Sequence, residues 1–300
     1  MVDKRKKGKK SISKKKHLQK DNFSRIVLFV LISLLLILMV AVILLYTKQK
    51  IEEKRYPPVK TSKVPIKTKK ELPKTKKKLG RYRVAIIIDD LGNNNGKADE
   101  LLKIDAPLTF SIFPHGQYSK SIAQKVHATG KDIILHLPME PHGYPEKNPG
   151  DGALFLSMED EELLEKLIED IESVPFIKGV NNHMGSKFTE DTEKMRIVLN
   201  ELKNRGLFFL DSRTSDSTVG YTLAKEIGLK VAGRNIFLDN NQDINLINAQ
   251  INKLVKLSIK NGSAIGICHP YPATIKALEQ MLPDMKAKGV EIVPLSKLVK

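Results

Sequence analysis

The chain has 300 residues and a formal net charge of +17, but the excess positive charge lies in its first third. Residues 1–81 contain 25 Lys and Arg side chains against 5 Asp and Glu, whereas residues 82–300 contain 26 against 29. A nucleic-acid-binding domain carries its basic patch on the folded part, so no nucleic-acid partner is expected, and the single cysteine, Cys268, excludes an internal disulfide.

The first 81 residues divide into three segments of different composition. Residues 1–25 are a polar, lysine-rich tail that we predict to be disordered. Residues 26–46 carry no charged side chain over 21 residues, which is about the length that crosses the hydrocarbon core of a bilayer. A secretory signal has a shorter apolar region and a small-residue cleavage site, so we predict an uncleaved transmembrane helix. Residues 47–81 combine lysines with four prolines, which predicts an extended linker.

The basic residues on either side of the apolar segment predict its orientation. Nine Lys and Arg lie within residues 6–25 and six within residues 47–66. The flank with more Lys and Arg usually stays in the cytoplasm. We therefore expect a single-pass membrane protein with a cytoplasmic N-terminus and an extracytoplasmic domain formed by residues 82–300.

From Tyr82 onward, short apolar runs alternate with amphipathic segments, which is typical of parallel strands in βα units. The predicted strands are 84–88, 108–112, 132–136, 178–181, 207–210, 230–232 or 236–238, 264–267 and 291–293. The predicted helices are 119–128, 158–172, 192–205, 219–227, 244–260 and 273–288. Seven or eight such units predict an α/β fold, a closed or nearly closed (β/α) barrel. An open doubly wound sheet is the alternative.

The most informative stretch is residues 84–92, VAIIIDDLG, where an unbroken apolar run meets two carboxylates. Such a run fits a strand that is buried on both faces, as in a parallel sheet. Asp89 and Asp90 then lie at the carboxyl end of the strand, where barrels and open α/β sheets place their chemistry. One carboxylate could bind a cation while the other takes up a proton. The alternative is that an Asp simply caps the following helix.

Other predicted strands also end in polar side chains that suit a metal site. If the strands are parallel, the groups that follow them gather at one end of the barrel: His115, His136, His183, Asp211, Arg213 and His269. Carboxylate and neutral imidazole ligands suit Zn²⁺ or a similar divalent cation, and a further histidine could act as an acid or base. Glu140 could support a ligand histidine, and Arg234 is a weaker candidate for substrate contact.

Six segments, in order and spanning nearly all of residues 84–300, resemble the divergent polysaccharide deacetylases, which are relatives of the NodB-like carbohydrate esterases of family 4. They are residues 85–92 (AIIIDDLG), 108–114 (LTFSIFP), 134–141 (ILHLPMEP), 179–186 (GVNNHMGS), 208–214 (FFLDSRT) and 264–272 (AIGICHPYP). This resemblance implies a distorted NodB-like (β/α) barrel with a metal-dependent N-deacetylase site.

The resemblance also implies roles for individual residues. Asp89 resembles the catalytic base and His269 the general acid, whereas Asp90, His136 and His183 resemble the metal ligands. Asp211 and Arg213 lie where the family has a motif that orients these catalytic and metal-binding groups. The main family holds its two ligand histidines one helical turn apart, whereas here His136 and His183 follow different strands.

The sequence therefore predicts a membrane-anchored, extracytoplasmic, metal-dependent deacetylase-like hydrolase that acts on an N-acetylated glycan, with Zn²⁺ as the expected cofactor. The expected partners are the glycan and, through the N-terminal helix, the membrane; no protein partner is indicated. The altered histidine spacing supports one alternative, a catalytically inactive glycan-binding or envelope scaffold protein. A metal-dependent phosphoesterase is a further alternative, because fold alone does not determine the reaction.

Overall fold

The computed structural model describes residues 31–36, 38–40, 42–43, 47 and 82–300. The described residues before 82 are helical. The predicted tail, much of the predicted transmembrane segment and all but one residue of the predicted linker lie outside the described residues. Among the residues that are described, no helix combines the length and the apolar character needed to cross a bilayer.

Residues 82–300 form nine strands and seven helices, with two short 3₁₀ turns at Phe188–Glu190 and Leu295–Lys297. The strands are β1 Tyr82–Leu91, β2 Thr109–Ile112, β3 Asp132–Met139, β4 Gly179–Met184, β5 Phe208–Asp211, β6 Val231–Gly233, β7 Ile236–Phe237, β8 Ser263–Cys268 and β9 Val290–Ile292. The helices are α1 Asn95–Leu102, α2 Ser119–Ala128, α3 Asp160–Ser173, α4 Thr192–Asn204, α5 Gly220–Glu226, α6 Ile244–Asn261 and α7 Pro272–Ala287.

The strands form one parallel sheet in the order β6-β5-β4-β3-β2-β1-β8-β7. β9 also pairs with β1, beside its first residues, whereas β2 pairs with its last ones. The two ends of this order, β6 and β7, are joined by only two residues, Arg234 and Asn235. The sheet is therefore curled into an incompletely closed half-barrel with helices around it, which confirms the predicted barrel fold.

Side-chain alternation along β1 separates two apolar cores. Val84, Ile86 and Ile88 belong to the larger core, which includes the buried faces of the helices. Ala85 and Ile87 belong to a smaller core inside the curled sheet. Successive strand residues point to opposite faces, so Asp89 is the next position on the interior side. The interior is thus apolar along most of β1 and polar where β1 ends.

The C-terminal segment fills the opposite end of the curled sheet. Leu295 is buried in the interior core, and its backbone N–H donates to Oγ1 of Thr109 at 3.0 Å. The N–H of Ser296 donates to the carboxylate of Asp132 at 3.0 Å. Thr109 and Asp132 begin β2 and β3, so this contact covers the amino ends of the strands and leaves the carboxyl ends as the accessible mouth.

The sequence missed two features of this fold. The alternative strands 230–232 and 236–238 both exist, as β6 and β7, because the chain turns from one sheet edge to the other between them. Helix α1 was not predicted because its sequence is polar and buries only Ala98 and Leu101. Its N-cap is Asn94, whose side-chain oxygen accepts the N–H of Lys97 at 3.2 Å. The cap of this helix is therefore neither Asp89 nor Asp90.

Candidate functional site

The three predicted metal ligands meet at the mouth of the half-barrel. Oδ1 of Asp90 lies 3.0 Å from Nε2 of His136 and 3.3 Å from Nδ1 of His183. The two imidazole nitrogens are 3.1 Å apart. These atoms come from β1, β3 and β4, so the contact depends on the parallel arrangement of three separate strands.

A backbone irregularity in β1 directs both carboxylates to the mouth. Ile88 pairs with Phe110 and Leu91 with Ile112, so β1 uses three steps where β2 uses two. Within this bulge Asp90 has a φ of 58°, a left-handed conformation that costs a non-glycine residue about 1–2 kcal/mol. As a result Oδ2 of Asp89 also approaches Nε2 of His136, at 3.8 Å, although adjacent residues of a regular strand would face opposite sides.

The geometry of Asp90, His136 and His183 fits a divalent cation. Ligand atoms about 2.0–2.1 Å from Zn²⁺ in a tetrahedral site lie roughly 3.3 Å from one another, close to the three separations in this cluster. Their ligand atoms all lie within 4.8 Å of each other. The Asp90 side chain is 32% exposed, which leaves a side open for water or substrate, as a catalytic rather than a closed structural site requires.

Asn181 orients His136 and connects it to Asp89. Its Oδ1 accepts the Nδ1–H of His136 at 3.0 Å and the hydroxyl of Ser111 at 2.7 Å. Its Nδ2 donates to both carboxylate oxygens of Asp89, at 3.0 and 3.2 Å. With the His136 proton on Nδ1, the lone pair of Nε2 faces Asp90 and is available to a metal, as is typical of histidine ligands.

The environments of Asp89 and Asp90 separate their pKa values. Burial raises the pKa of Asp89; the charges of His136 and His269 oppose this, and the charge of Asp90 adds to it. Burial also acts to raise the pKa of Asp90, but hydrogen bonds with His136 and His183 outweigh it and hold that pKa far below its usual range. The pKa of Asp89 is therefore shifted upward and that of Asp90 downward, a separation that is typical of paired catalytic carboxylates.

The pKa values of the two histidines in the cluster are also shifted in opposite directions. Burial lowers the pKa of His183, although Asp90 opposes this change. Burial acts in the same direction on His136, but the adjacent Asp89 and Asp90 outweigh it and raise the pKa of His136. A cation at this position would therefore compete with a proton more strongly at His136 than at His183.

The fourth predicted histidine, His269, lies beside the cluster and is held by Asp239. Nε2 of His269 is 3.8 Å from Oδ2 of Asp90. Its Nδ1 bonds to Oδ1 of Asp239 at 2.9 Å, and its backbone N–H donates to Oδ2 at 2.7 Å. Burial opposes the charge of His269, but Asp239, with help from Asp90 and Asp89, raises the pKa of His269 to about 9. At neutral pH His269 is a protonated imidazolium whose Nε2–H faces the mouth.

Phe113 packs against both histidines of the cluster from the end of β2. Its ring centroid lies 4.9 Å from that of His136 and 4.8 Å from that of His183. An aromatic ring in this position restricts rotation of the two imidazoles and excludes water from one side of the cluster.

The remaining predicted site residues lie outside the cluster. The carboxylate of Asp211 accepts the backbone N–H groups of Arg213 and Tyr221 and the hydroxyl of Thr218, at 2.8, 3.0 and 3.0 Å. It therefore stabilises the loop after β5. The guanidinium of Arg213 lies 5.4 Å from the ring centroid of Tyr221.

Glu140 likewise stabilises a loop. Its two carboxylate oxygens bond to Nζ of Lys187 at 2.6 Å and to the N–H of Leu156 at 2.8 Å.

Sequence reasoning did not find Asn181 or Asp239. Asn181 sits inside a strand, where a polar side chain gives no periodic signal. Asp239 follows the apolar pair Phe237–Leu238, and the strand predicted at 236–238 would have identified it as another strand-end carboxylate. Both residues act by orienting other side chains, a role that depends on contacts between strands far apart in the sequence.

Comparison with known proteins matches one family model and several similar proteins. A family model described as divergent polysaccharide deacetylase matches residues 86–299. The Escherichia coli (strain K12) protein YibQ is 35% identical over 219 residues, which are 72% of this chain and 67% of YibQ. A Haemophilus influenzae protein is 32% identical over 216 residues, 72% of this chain and 76% of that protein. The crystal structure of ATU2773 from Agrobacterium tumefaciens C58 superposes with a TM-score of 0.70 at 27% identity, covering 73% of this chain and 89% of that one.

The geometry predicts that Asp90, His136 and His183 together bind Zn²⁺. Replacement of His136 by Ala removes one of three ligands, and we expect a loss of affinity of about 100-fold or more; Asn181→Ala, which releases the imidazole, should cost about 10–100-fold. Affinity is measured by competition with a chromogenic chelator. His127→Ala, an exposed histidine on α2 that stacks on Phe176, is the matched control. Unchanged affinity in His136→Ala would show that the cluster is not a metal site.

The contact between Asp239 and His269 predicts a shift in imidazole titration. In the parent protein without added metal, the His269 ring should titrate near pH 9. Asp239→Asn removes the negative charge and keeps the side-chain size, so the pKa of His269 should fall, and the imidazole should lose its proton at a lower pH. The measurement is an NMR titration of the imidazole carbon-bound protons. An Asp239→Asn variant with an unchanged titration would contradict this assignment.

Proposed function

Because this chain belongs to the divergent polysaccharide deacetylase family, we propose that it hydrolyses acetamido groups on an N-acetylated glycan in a reaction that depends on a divalent cation, Zn²⁺. The observation that carries the proposal is that two kinds of group lie together at the mouth of the half-barrel. Asp90, His136 and His183 could hold a metal ion. Directly beside them lie the Asp89 carboxyl group, suited to accept a proton, and the His269 imidazolium, suited to donate one.

Asp90, His136 and His183 would hold the cation. Two imidazoles and one carboxylate, with an open side, form a donor set that suits catalytic Zn²⁺. When bound, such a cation polarises the acetyl carbonyl and makes water a stronger nucleophile at neutral pH.

Asp89 acts as the general base in this mechanism. Its carboxylate accepts a proton from the attacking water as the water oxygen bonds to the acetyl carbon. Both carboxylate oxygens are held by the Nδ2 of Asn181, so the base keeps a defined orientation. Its raised pKa makes it a better proton acceptor than an exposed carboxylate.

His269 acts as the general acid. Its Nε2–H faces the cluster while Nδ1 is bonded to Asp239. As the bond between the acetyl carbon and the amide nitrogen breaks, Nε2 gives its proton to that nitrogen, which leaves as the free amine of the sugar. The products are acetate and a deacetylated glycan. Asp239 stabilises the imidazolium before transfer and orients the ring throughout.

The proposed mechanism predicts acetate release by the full chain in detergent, loaded with Zn²⁺, from a panel of N-acetylated oligosaccharides. Asp89→Asn and His269→Gln should lower kcat by about 100-fold or more, because each loses a proton-transfer step. His127→Ala should keep parent activity, and Asp89→Asn should still bind Zn²⁺.

Two results would contradict the proposal. One is the absence of acetate release from the loaded parent protein across the panel. The other is equal activity in the parent and Asp89→Asn. Glycan binding without acetate release, unchanged in His136→Ala, would instead support the inactive scaffold protein.

We also propose that the domain is extracytoplasmic and anchored through residues 26–46. The support is the uncharged apolar run and the excess of Lys and Arg before it. Ser217→Cys places a thiol in an exposed loop of the domain, whereas the native Cys268 is buried. A membrane-impermeant thiol reagent should label Ser217→Cys in spheroplasts, and should label a Ser13→Cys control only after permeabilisation. The reverse pattern would refute this orientation.

A further inference from the structure

Arg234 lies in the two-residue connection between the edges of the curled sheet. Its backbone N–H donates to the carbonyl of Asp211 at the end of β5, at 3.0 Å. The next residue, Asn235, bonds to Ile265 of β8 through both its N–H and its side-chain oxygen, at 2.9 and 2.7 Å. The backbone that carries Arg234 is therefore held on both sides of the seam between β6 and β7.

The side chain of Arg234 is equally restrained. Its Nε–H donates to the carbonyl of Ser212 at 2.6 Å, and Nη2 donates to the carbonyl of Arg213 at 2.8 Å. Its guanidinium carbon lies 3.8 Å from the ring centroid of Phe237. These contacts use one edge of the guanidinium and leave the end formed by Nη1 and the second Nη2–H without a partner in residues 82–300.

The positive charge of Arg234 is not neutralised within the domain. The side chain is only partly exposed, and its polar partners are two neutral carbonyl groups. It forms no ion pair with a carboxylate in the part of the chain that the structure describes. Burial and the charge of the neighbouring Arg213 both lower the pKa of Arg234, although Asp211 and Asp89 oppose this change. A partly buried cation without a counter-ion is costly, which favours an external anion as its partner.

Two short contact paths connect Arg234 with the reacting groups. Its Nε is bonded to the backbone of Ser212, whose hydroxyl accepts from Nδ2 of Asn181 at 3.2 Å, the same nitrogen that holds Asp89. On its other side, the Phe237 ring stacks against His269 with centroids 6.0 Å apart and an interplanar angle of 18°. Arg234 is thus separated from the proposed base and acid by one or two side chains.

We propose that Arg234 binds a carboxylate of the glycan next to the acetamido group that is hydrolysed, so that the enzyme prefers acidic N-acetylated glycans. This inference rests on the proposed deacetylase function and specifies its substrate class. The free end of the guanidinium presents two parallel N–H groups, which match the two oxygens of a carboxylate. The exposed Arg213, whose charge acts on Arg234, adds positive charge nearby.

The test compares two N-acetylated oligosaccharides that differ only in a carboxylate on the neighbouring sugar. The Zn²⁺-loaded parent protein should favour the acidic substrate in kcat/KM. Arg234→Gln should lower kcat/KM for the acidic substrate by about 10-fold or more, mainly through KM, and leave the neutral substrate within about 2-fold. Arg234→Lys keeps the charge but not the paired N–H groups, and should recover only part of the preference. Arg196→Gln, at a partly exposed arginine on α4 that pairs with Glu226, should match the parent.

Several outcomes would overturn the assignment. Equal losses of kcat/KM for both substrates in Arg234→Gln would show that Arg234 has only a structural role, in holding the loop after β5 against the sheet. Full preference in Arg234→Lys would refute paired recognition. A third substrate, with a phosphate in place of the carboxylate, tests which anion Arg234 binds. A preference for the phosphate substrate over the carboxylate substrate would refute the proposed substrate class.

A binding measurement separates this inference from the deacetylase proposal. Titration of the acidic oligosaccharide into the Zn²⁺-loaded protein should show affinity that falls about 10-fold or more in Arg234→Gln, even if no acetate is released. Loss of binding in Arg234→Gln without turnover in the parent would therefore refute the catalytic proposal and keep the anion site. Equal binding by the parent and Arg234→Gln would refute the anion site.

Discussion

The parallel pairing of strands around β1 is the constraint on which the site depends. All residues from Val84 to Ile88 are fully buried, and β1 pairs with β2, β8 and β9. Because each strand runs in the same direction, their carboxyl ends meet at one mouth, and side-chain alternation decides which residues face it. The apolar interior beneath the mouth stabilises the fold, while the last interior position of several strands carries a polar group. His136 and His183 are near each other only because β3 pairs with β4 in register.

A single amide, Asn181, links the groups in this polar layer. It accepts from His136 and Ser111 and donates to Asp89 and Ser212. With its oxygen facing the two donors and its nitrogen facing the acceptors, one amide orientation satisfies all of these contacts. The network therefore determines the tautomer of His136 and the orientation of Asp89 together. A buried polar network of this kind is stabilising only when it is fully satisfied, which explains how Asp89 and His136 can both be buried there.

The sequence predicted the parts of this arrangement that depend on local pattern. Alternating apolar runs and amphipathic segments predicted the strands and most helices. The polar residues at the ends of the predicted strands identified Asp89, Asp90, His136, His183 and His269 as site candidates. Contacts between distant strands were not predictable. Asp211 ends β5 as directly as Asp89 ends the apolar run of β1, but on β5 the interior side belongs to Phe208 and Leu210. Its side chain therefore faces the loop toward α5, and only the strand register reveals this. The left-handed turn at Asp90 also had no signal, because no glycine marks it.

Asp89 and Asp90 both adopt arrangements that cost free energy of folding, which favours a chemical role for the mouth over a purely structural one. Asp90 adopts a strained backbone, which persists only where the surrounding structure imposes it and is most common at functional sites. Asp89 is buried beside a second carboxylate, which destabilises its charged form. Neither residue caps the following helix, because Asn94 does so. In the proposed hydrolase this difference between the two pKa values would have a use, since Asp90 would hold a cation while Asp89 exchanges a proton.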